Sequence, residues 1–166
     1  DPIKKRNLTI KDSQVMLLGA GGAARAIVTA MVKEKAGKIT IVNRTMENAI
    51  KLAEFAEKIG GSVETVSLQE ANKIIADYKF IINSTSIGMS NEQSPISTEN
   101  IGKDSIVYDI VYQPINTDLV KKSKENGATI IYGYEMLLSQ AARAFEIWHK
   151  IEPPYDAMKK ALLGGF

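Results

Sequence analysis

Residues 15–27, VMLLGAGGAARAI, place four apolar residues directly before a glycine-rich join and an alanine-rich segment. The run SQVMLLG (13–19) shows no polar alternation after Val15, which is typical of a strand buried on both faces. A strand that ends in glycine and continues at once as a helix is the first half of a βαβ unit. This join constrains the possible fold more than any other segment of the chain.

Strand and helix patterns alternate along the rest of the sequence. Strands are predicted at 38–43, 62–66, 79–83, 105–112 and 128–133, and helices at 22–37, 45–60, 67–76, 116–127, 134–150 and 154–164. Parallel strands need crossover connections, and helices supply them. The sequence therefore predicts an α/β fold: a Rossmann-type, doubly wound, mostly parallel six-stranded sheet with helices on both faces and extra C-terminal helices.

Local signals mark the helix ends and their buried faces. Thr45 is a predicted N-cap, Ser67 and Glu70 have capping-box spacing, and Gly37 is a predicted C-terminal stop. Two helices carry predicted inner stripes: Ala49, Leu52, Ala53, Ala56 and Ile59 in the first, and Leu137, Ala141, Ala144, Phe145 and Trp148 in the second.

Composition excludes several classes of protein. The 166 residues suit one domain, and 45% apolar residues are enough for a buried core. With no Cys, a disulfide framework or a thiolate zinc site is excluded, and we expect a cytoplasmic protein without a metal. The net charge of +2 does not favour nucleic acid, and no apolar run is long enough for a membrane span.

The glycine-rich join fits the pattern G-x-G-x-x-G/A at Gly19, Gly21 and Ala24. The first glycine permits a tight turn, the second lets a pyrophosphate approach the backbone, and the small third residue packs the helix close to the sheet. The helix that begins near Gly22 offers free N–H groups to the phosphates. The motif therefore indicates a dinucleotide site, although a glycine turn in an ordinary α/β protein looks the same.

The end of the second strand indicates which dinucleotide. NAD sites usually carry Asp or Glu there to bind the ribose, whereas this chain has Asn43, Arg44 and Thr45. An acid would repel a 2′-phosphate, while Arg44 can pair with it and stack on adenine. The three residues favour NADP(H) over NAD, although a surface Arg beside a capping Thr is common.

Five motifs together resemble the shikimate dehydrogenase family: GAGGAARA, NRT, NSTSIGM, YDIVYQP and GYEMLLSQAARAFEIW. They occur in the family's order and spacing from about residue 13 to the C-terminus. The first two are shared with many dehydrogenases, and the last two are more specific. The resemblance implies the cofactor domain of an enzyme that reduces 3-dehydroshikimate to shikimate with NADPH.

The resemblance also implies roles for residues along the chain. The diphosphate loop would be Gly19, Ala20, Gly21, Gly22 and Ala23, and the adenosine phosphate would be held by Asn43, Arg44 and Thr45. The nicotinamide ribose would lie near Ser84, Thr85 and Ser86, and the nicotinamide end near Ile110, Gly133 and Met136. Tyr112 and Gln140 would reach the substrate. Most of these residues, taken singly, also fit a purely structural role.

The sequence departs from the family pattern at three places. Asn48 stands where members often carry Arg or Lys, which removes one cation for the 2′-phosphate. The motif NSTSIGM replaces NATPIGM and adds hydroxyls beside the cofactor, and Glu135 replaces a glycine.

The family's catalytic Lys and Asp lie in an N-terminal substrate domain. We expect residues 1–12 to be a lead-in from such a domain, missing here, and residues 13–166 to be the NADP-binding domain with its C-terminal helices. No catalytic residue is assigned, neither to Asp1 nor to His149. The predicted partner is a small substrate shared with the missing domain.

Three other functions remain open from the sequence. One is a quinate/shikimate dehydrogenase that uses NAD. Another is the NADPH domain of a glutamyl-tRNA reductase, which shares the glycine loop and NRT but not the later motifs. The third is a nucleotide-sensing module without enzymatic activity.

Overall fold

Parallel strands and helices make up most of residues 2–90 and 93–165, the part of the chain that the computed structural model describes; Asp1 lies outside it. The strands are Gln14–Leu18 (β1), Lys38–Val42 (β2), Val63–Val66 (β3), Phe80–Asn83 (β4), Ile106–Asp109 (β5) and Thr129–Ile131 (β6). The helices are Pro2–Lys5 (α1), Gly22–Lys33 (α2), Met46–Lys58 (α3), Leu68–Ile74 (α4), Asp118–Glu125 (α5), Gly133–His149 (α6) and Tyr155–Leu163 (α7).

The strands form one six-stranded sheet in the order β3-β2-β1-β4-β5-β6. Every pairing within it is parallel, so the predicted doubly wound sheet is confirmed. The order reverses between β1 and β4, whose ends Leu18 and Asn83 pair in register. Ligands of open α/β sheets bind at the carboxyl edge beside such a reversal.

Alternate side chains of each strand enter two separate core layers, one on each face of the sheet. Val15 and Leu17 of β1 join the layer that contains residues of α2 and α3, while Met16 and Leu18 join the layer that contains residues of α4 and α5. Strands β1, β4 and β5 are largely apolar because core layers lie on both faces of the sheet.

Several predicted elements end earlier than the sequence patterns indicated. Helix α2 ends at Lys33 because Lys35 adopts φ +58° and turns the chain before Gly37. Strand β5 ends at Asp109, where the backbone N–H of Val111 donates to Asp109 Oδ1 (3.0 Å). Ser67 accepts from the Glu70 N–H (3.2 Å), as its capping-box spacing predicts.

The predicted inner stripes were partly wrong. Ala49, Leu52, Ala53 and Ala56 are buried, but Ile59 is 40% exposed. In α6 the fully buried side chains are Leu138 and Ala142, whereas Trp148 is 75% exposed. Helix α6 packs with a face about one residue away from the predicted stripe, and residues 146–149 of its last turn are exposed.

The N-terminal segment, residues 2–12, packs against the rest of the fold. Ile3 and Ile10 are buried in the core layer of α2 and α3. The Arg6 guanidinium donates to both carboxylate oxygens of Glu135, with Nη2–Oε1 at 2.8 Å, and Lys5 Nζ lies 3.6 Å from the Tyr155 ring centroid. These contacts fasten the N-terminal segment to α6 and α7.

Candidate dinucleotide-binding site

The turn after β1 requires glycine at its first position. Gly19 has φ +104° and donates its N–H to the Val42 carbonyl (2.8 Å). A Cβ at Gly19 would lie 2.7 Å from Ser84 Oγ and 3.2 Å from the Ser84 carbonyl carbon. Both the backbone angle and the close approach of Ser84 therefore exclude a side chain.

The next glycines leave an open helix N-terminus. Gly21 is the N-cap of α2, and within the described chain no side chain caps this end. A Cβ at Gly21 or Gly22 would meet no described atom within 4 Å. Ala24 is fully buried in the core, as the motif predicts. Free N–H groups and the positive end of the helix dipole together suit an anion.

A cleft of about 350 Å³ lies beside this loop and contains two cationic side chains. Its lining comprises Ala20, Gly21, Gly22, Arg25, Asn48, Lys51 and Leu52. Arg25 lies 3.9 Å from the Phe55 ring centroid, and Lys51 Nζ lies 2.6 Å from Glu47 Oε1. Arg25 on α2 and Lys51 on α3 thus place cationic groups at the cleft, although position 48 carries no charge.

A second cavity of about 470 Å³ lies at the ends of β1, β2 and β4. Arg44 and Asn43 line it together with apolar side chains. Three of these, Met46, Leu68 and Ile87, are large and 38–45% exposed. A cationic guanidinium beside apolar walls suits a flat purine base that carries a phosphate nearby. We name this space the adenosine cavity, after the ligand group that the sequence predicts for Asn43 and Arg44.

Thr45 begins α3 as predicted, but within the described part of the chain its side chain does not cap the helix. Asn43 Nδ2 donates to the Thr45 carbonyl (2.8 Å). Thr45 occupies the N-cap position of α3, but among the described residues its hydroxyl makes no capping hydrogen bond. Its ψ is 104°, whereas the capping residues Ser67 and Thr117 have ψ of 159° and 166°.

The three hydroxyl residues after β4 separate in the structure. Thr85 and Ser86 line the adenosine cavity together with Arg44. Ser84 Oγ and its N–H both donate to the Leu18 carbonyl (2.7 and 2.8 Å). Ser84 therefore holds β4 against the glycine turn.

A buried polar cluster behind this edge escaped sequence reasoning. Asp109 and Asn83, both 0% exposed, pair at the ends of β5 and β4, with Asn83 Nδ2 donating to Asp109 Oδ1 (2.9 Å). Thr117 Oγ1 donates to Asp109 Oδ2 (2.6 Å). Burial raises the pKa of the Asp109 carboxyl, and the hydrogen bonds from Thr117, Val111 and Asn83 oppose that rise. The available signal was one polar residue ending each of two apolar strands.

The residues predicted for the nicotinamide end lie around the start of α6. A Cβ at Gly133 would stand 2.3 Å from the Val111 carbonyl oxygen and 2.6 Å from that of Ile110, so this position requires glycine. Ile110 and Met136 both pack against the core layer of α2 and α3. The segment after β5 and the first turn of α6 are therefore in direct contact.

An apolar groove of about 610 Å³ runs between α2 and α6. Gln140, Met136 and Ala23 line it, and so do Ile3 and Ile147. Ser139 Oγ, also in its lining, is buried without a hydrogen-bond partner among the described residues. Tyr112 lies after β5 and is 40% exposed.

Residues 2–90 and 93–165 lack two further features. They contain no group of acidic or histidine side chains placed to hold a metal ion. They also contain no helix with the length and apolar character of a membrane span.

Comparison with known proteins places these features in a family. Residues 3–110 match the family described as Shikimate / quinate 5-dehydrogenase, and residues 133–163 match the Shikimate 5'-dehydrogenase C-terminal domain. The chain is 60% identical over all its 166 residues to the shikimate dehydrogenase (NADP(+)) of Nitrosopumilus maritimus, and spans 61% of that protein.

Solved structures agree with this match. The chain is similar to quinate dehydrogenase from Corynebacterium glutamicum in complex with NAD, at 26% identity and a TM-score of 0.89, covering 98% of this chain and 59% of that one. It is also similar to shikimate 5-dehydrogenase from Thermus thermophilus in complex with NADP(H) and shikimate, at 28% identity and a TM-score of 0.82, covering 99% and 59%. The chain therefore belongs to the shikimate/quinate 5-dehydrogenase family.

Proposed function

We propose that this chain is the NADP(H)-binding domain of a shikimate dehydrogenase, which reduces 3-dehydroshikimate to shikimate. The observation that carries the proposal is Arg44 on the adenosine cavity, with Asn43 in place of an acid at the end of β2. The name of the Nitrosopumilus relative supports it, since that protein is an NADP(+) enzyme.

Different residues of this chain would bind different parts of the cofactor. Gly21 and Gly22 would hold the diphosphate at the N-terminus of α2, and Arg44 would pair with the 2′-phosphate beside Thr85. Lys51 and Arg25 add positive charge at the same edge. Ile110, Gly133 and Met136 would contact the nicotinamide end. When bound, NADPH supplies the hydride, and the protein orients it.

We further propose that the substrate site is completed by a separate substrate domain, with residues 1–12 leading from it and residues 13–166 forming the cofactor domain. The chain spans about three fifths of the curated relative and solved structures described above. Gln140 and Tyr112 would be its contributions to substrate binding. The exposed Trp148 and the apolar groove between α2 and α6 offer a surface for that domain.

We expect the isolated chain to bind NADP(H) weakly but saturably, because the glycine loop and the adenosine cavity lie wholly within it. Titration calorimetry with NADP⁺ and NADPH measures this directly. Absence of any saturable signal at millimolar cofactor would contradict the proposed function.

Replacement of Arg44 by Ala should weaken NADP⁺ binding about tenfold or more and weaken NAD⁺ binding much less. A hydrogen bond to a charged group contributes about 1.5–3 kcal/mol, and only NADP⁺ carries the 2′-phosphate. The measurement is the dissociation constant of each cofactor for both proteins.

The matched control for this variant is Lys124→Ala, which removes one positive charge from the exposed surface of α5. It should change neither dissociation constant by more than about twofold. Equal losses for NADP⁺ and NAD⁺ in Arg44→Ala would show that Arg44 has a structural role.

An NAD-dependent quinate/shikimate dehydrogenase is the second candidate. Two observations favour it: Asn48 removes a cation from the first turns of α3, and the Corynebacterium quinate dehydrogenase was solved with NAD. The same titrations separate the two candidates, because this enzyme would bind NAD⁺ at least as tightly as NADP⁺.

A further inference from the structure

We propose that Asp109 is a positioning residue that fixes two walls of the cofactor site relative to each other. The first, the adenosine wall, is residues 85–87; the second, the nicotinamide wall, is residues 110–112. The inference rests on the proposed function, since it assigns these walls to the two ends of NADP(H). Asp109 itself is 0% exposed, so its surface is not open to a ligand.

One carboxylate oxygen reaches the adenosine wall through Asn83. Asp109 Oδ1 accepts from Asn83 Nδ2 at 2.9 Å, which orients the amide. Asn83 Oδ1 then accepts from both the N–H and the hydroxyl of Thr85 (3.0 and 2.7 Å). Thr85 Oγ1 in turn accepts from the Ile87 N–H (3.2 Å). The adenosine wall is thus fixed by a chain of hydrogen bonds that begins at Asp109.

The nicotinamide wall is tied to the same carboxylate. The Val111 N–H donates to Asp109 Oδ1 (3.0 Å), and the Thr117 hydroxyl donates to Oδ2 (2.6 Å). Thr117 also accepts from the Val120 N–H (3.2 Å), so its position is set by α5. A Cβ at Gly88 would lie 3.2 Å from Thr117, so the residue that follows the adenosine wall lies against Thr117.

Burial makes this arrangement stiff. Asp109, Asn83 and Thr117 are at most 2% exposed, so water cannot readily replace a lost partner. In such surroundings an unsatisfied donor is costly, and hydrogen bonds strengthen one another. Loss of one partner should therefore displace the wall that it holds.

The hydrogen bonds that hold the two walls can be tested separately with two ligands. Adenosine 2′,5′-bisphosphate fills the adenosine end alone, whereas NADP⁺ fills both ends. Asn83→Ala should weaken both ligands by about three- to tenfold. Thr117→Val should weaken NADP⁺ by a similar factor and leave the bisphosphate within about twofold. Thr117→Ser, which keeps the hydroxyl, should restore NADP⁺ affinity.

Thermal unfolding of each variant separates positioning from stability. Lower unfolding temperatures with unchanged dissociation constants for both ligands would show a purely structural cluster and overturn the inference. If Asn83→Ala does not fold, the comparison of Thr117→Val with Thr117→Ser decides alone. A wild-type chain that binds neither ligand would instead reject the proposed function, and this inference with it.

Discussion

Shikimate and NADP⁺ mixed with the 166-residue chain should give no NADPH absorbance above a protein-free blank. The reacting carbon must lie within about 3–3.5 Å of the nicotinamide, held by groups from both sides of a cleft. In our proposal, the described part of this chain contributes Tyr112 and Gln140 to that cleft. General acid–base catalysis is typically worth about 10²–10⁴-fold, and the proposed acid–base pair belongs to the substrate domain.

His149, Glu135 and Asp109 are poorly placed to replace that pair. His149 is exposed at the end of α6, with its ring 4.4 Å from Phe145. Glu135 is held by Arg6 and by the Tyr132 N–H (3.0 Å). Asp109 is fully buried.

Joining a substrate domain to the N-terminus of this chain should raise the rate of shikimate oxidation by NADP⁺ at least about 10²-fold above that of the chain alone. Gln140→Ala in that joined protein should lower kcat/KM, because the proposed substrate contact is lost. NADP⁺ binding by the 166-residue chain, measured on the sample used for the activity assay, is the control that this chain is folded. Robust turnover by the unjoined chain would contradict the two-domain proposal and require an acid–base pair within the 166 residues.

Gly19→Ala should destabilise the fold by about 2–4 kcal/mol, combining the strain of a positive φ with steric overlap. The new methyl group would meet Ser84 Oγ at 2.7 Å, and Ser84 cannot move freely because it donates to the Leu18 carbonyl. The midpoint of thermal unfolding should fall by about 10 °C. Calorimetric or circular-dichroism melting measures the change.

Gly21→Ala is the matched variant, because Gly21 has φ −89° and a Cβ there meets no described atom within 4 Å. It should leave the unfolding temperature nearly unchanged and weaken NADP⁺ at least tenfold, since its methyl group would occupy the space of the diphosphate. If both glycine variants destabilised the fold equally, the different roles assigned to the two glycines would be wrong. Unchanged NADP⁺ affinity in Gly21→Ala would place the diphosphate elsewhere.

The order of the main strands and helices and the position of the glycine turn can be read from the amino-acid sequence alone. Both follow from local physics: buried strands are continuous apolar runs, and a turn with φ near +104° at Gly19 needs glycine. The parallel sheet followed from the same pattern, because helices between strands leave few other connections. The boundaries were less certain, since Lys35 and Asp109 end their elements through backbone angles and side-chain contacts.

The tertiary structure is needed to know which residues, distant in sequence, line the same cavity or wall. Thr85 and Ser86 line the adenosine cavity because β4 lies beside β1, a neighbour relation that no local pattern contains. The pairing of Asn83 with Asp109, 26 residues apart, likewise depends on the lateral order of β4 and β5. Trp148 is 75% exposed, although the apolar periodicity of α6 predicts it on the buried face. Periodicity indicates that a helix has an apolar face, but the packing of its neighbours decides which part of that face is buried.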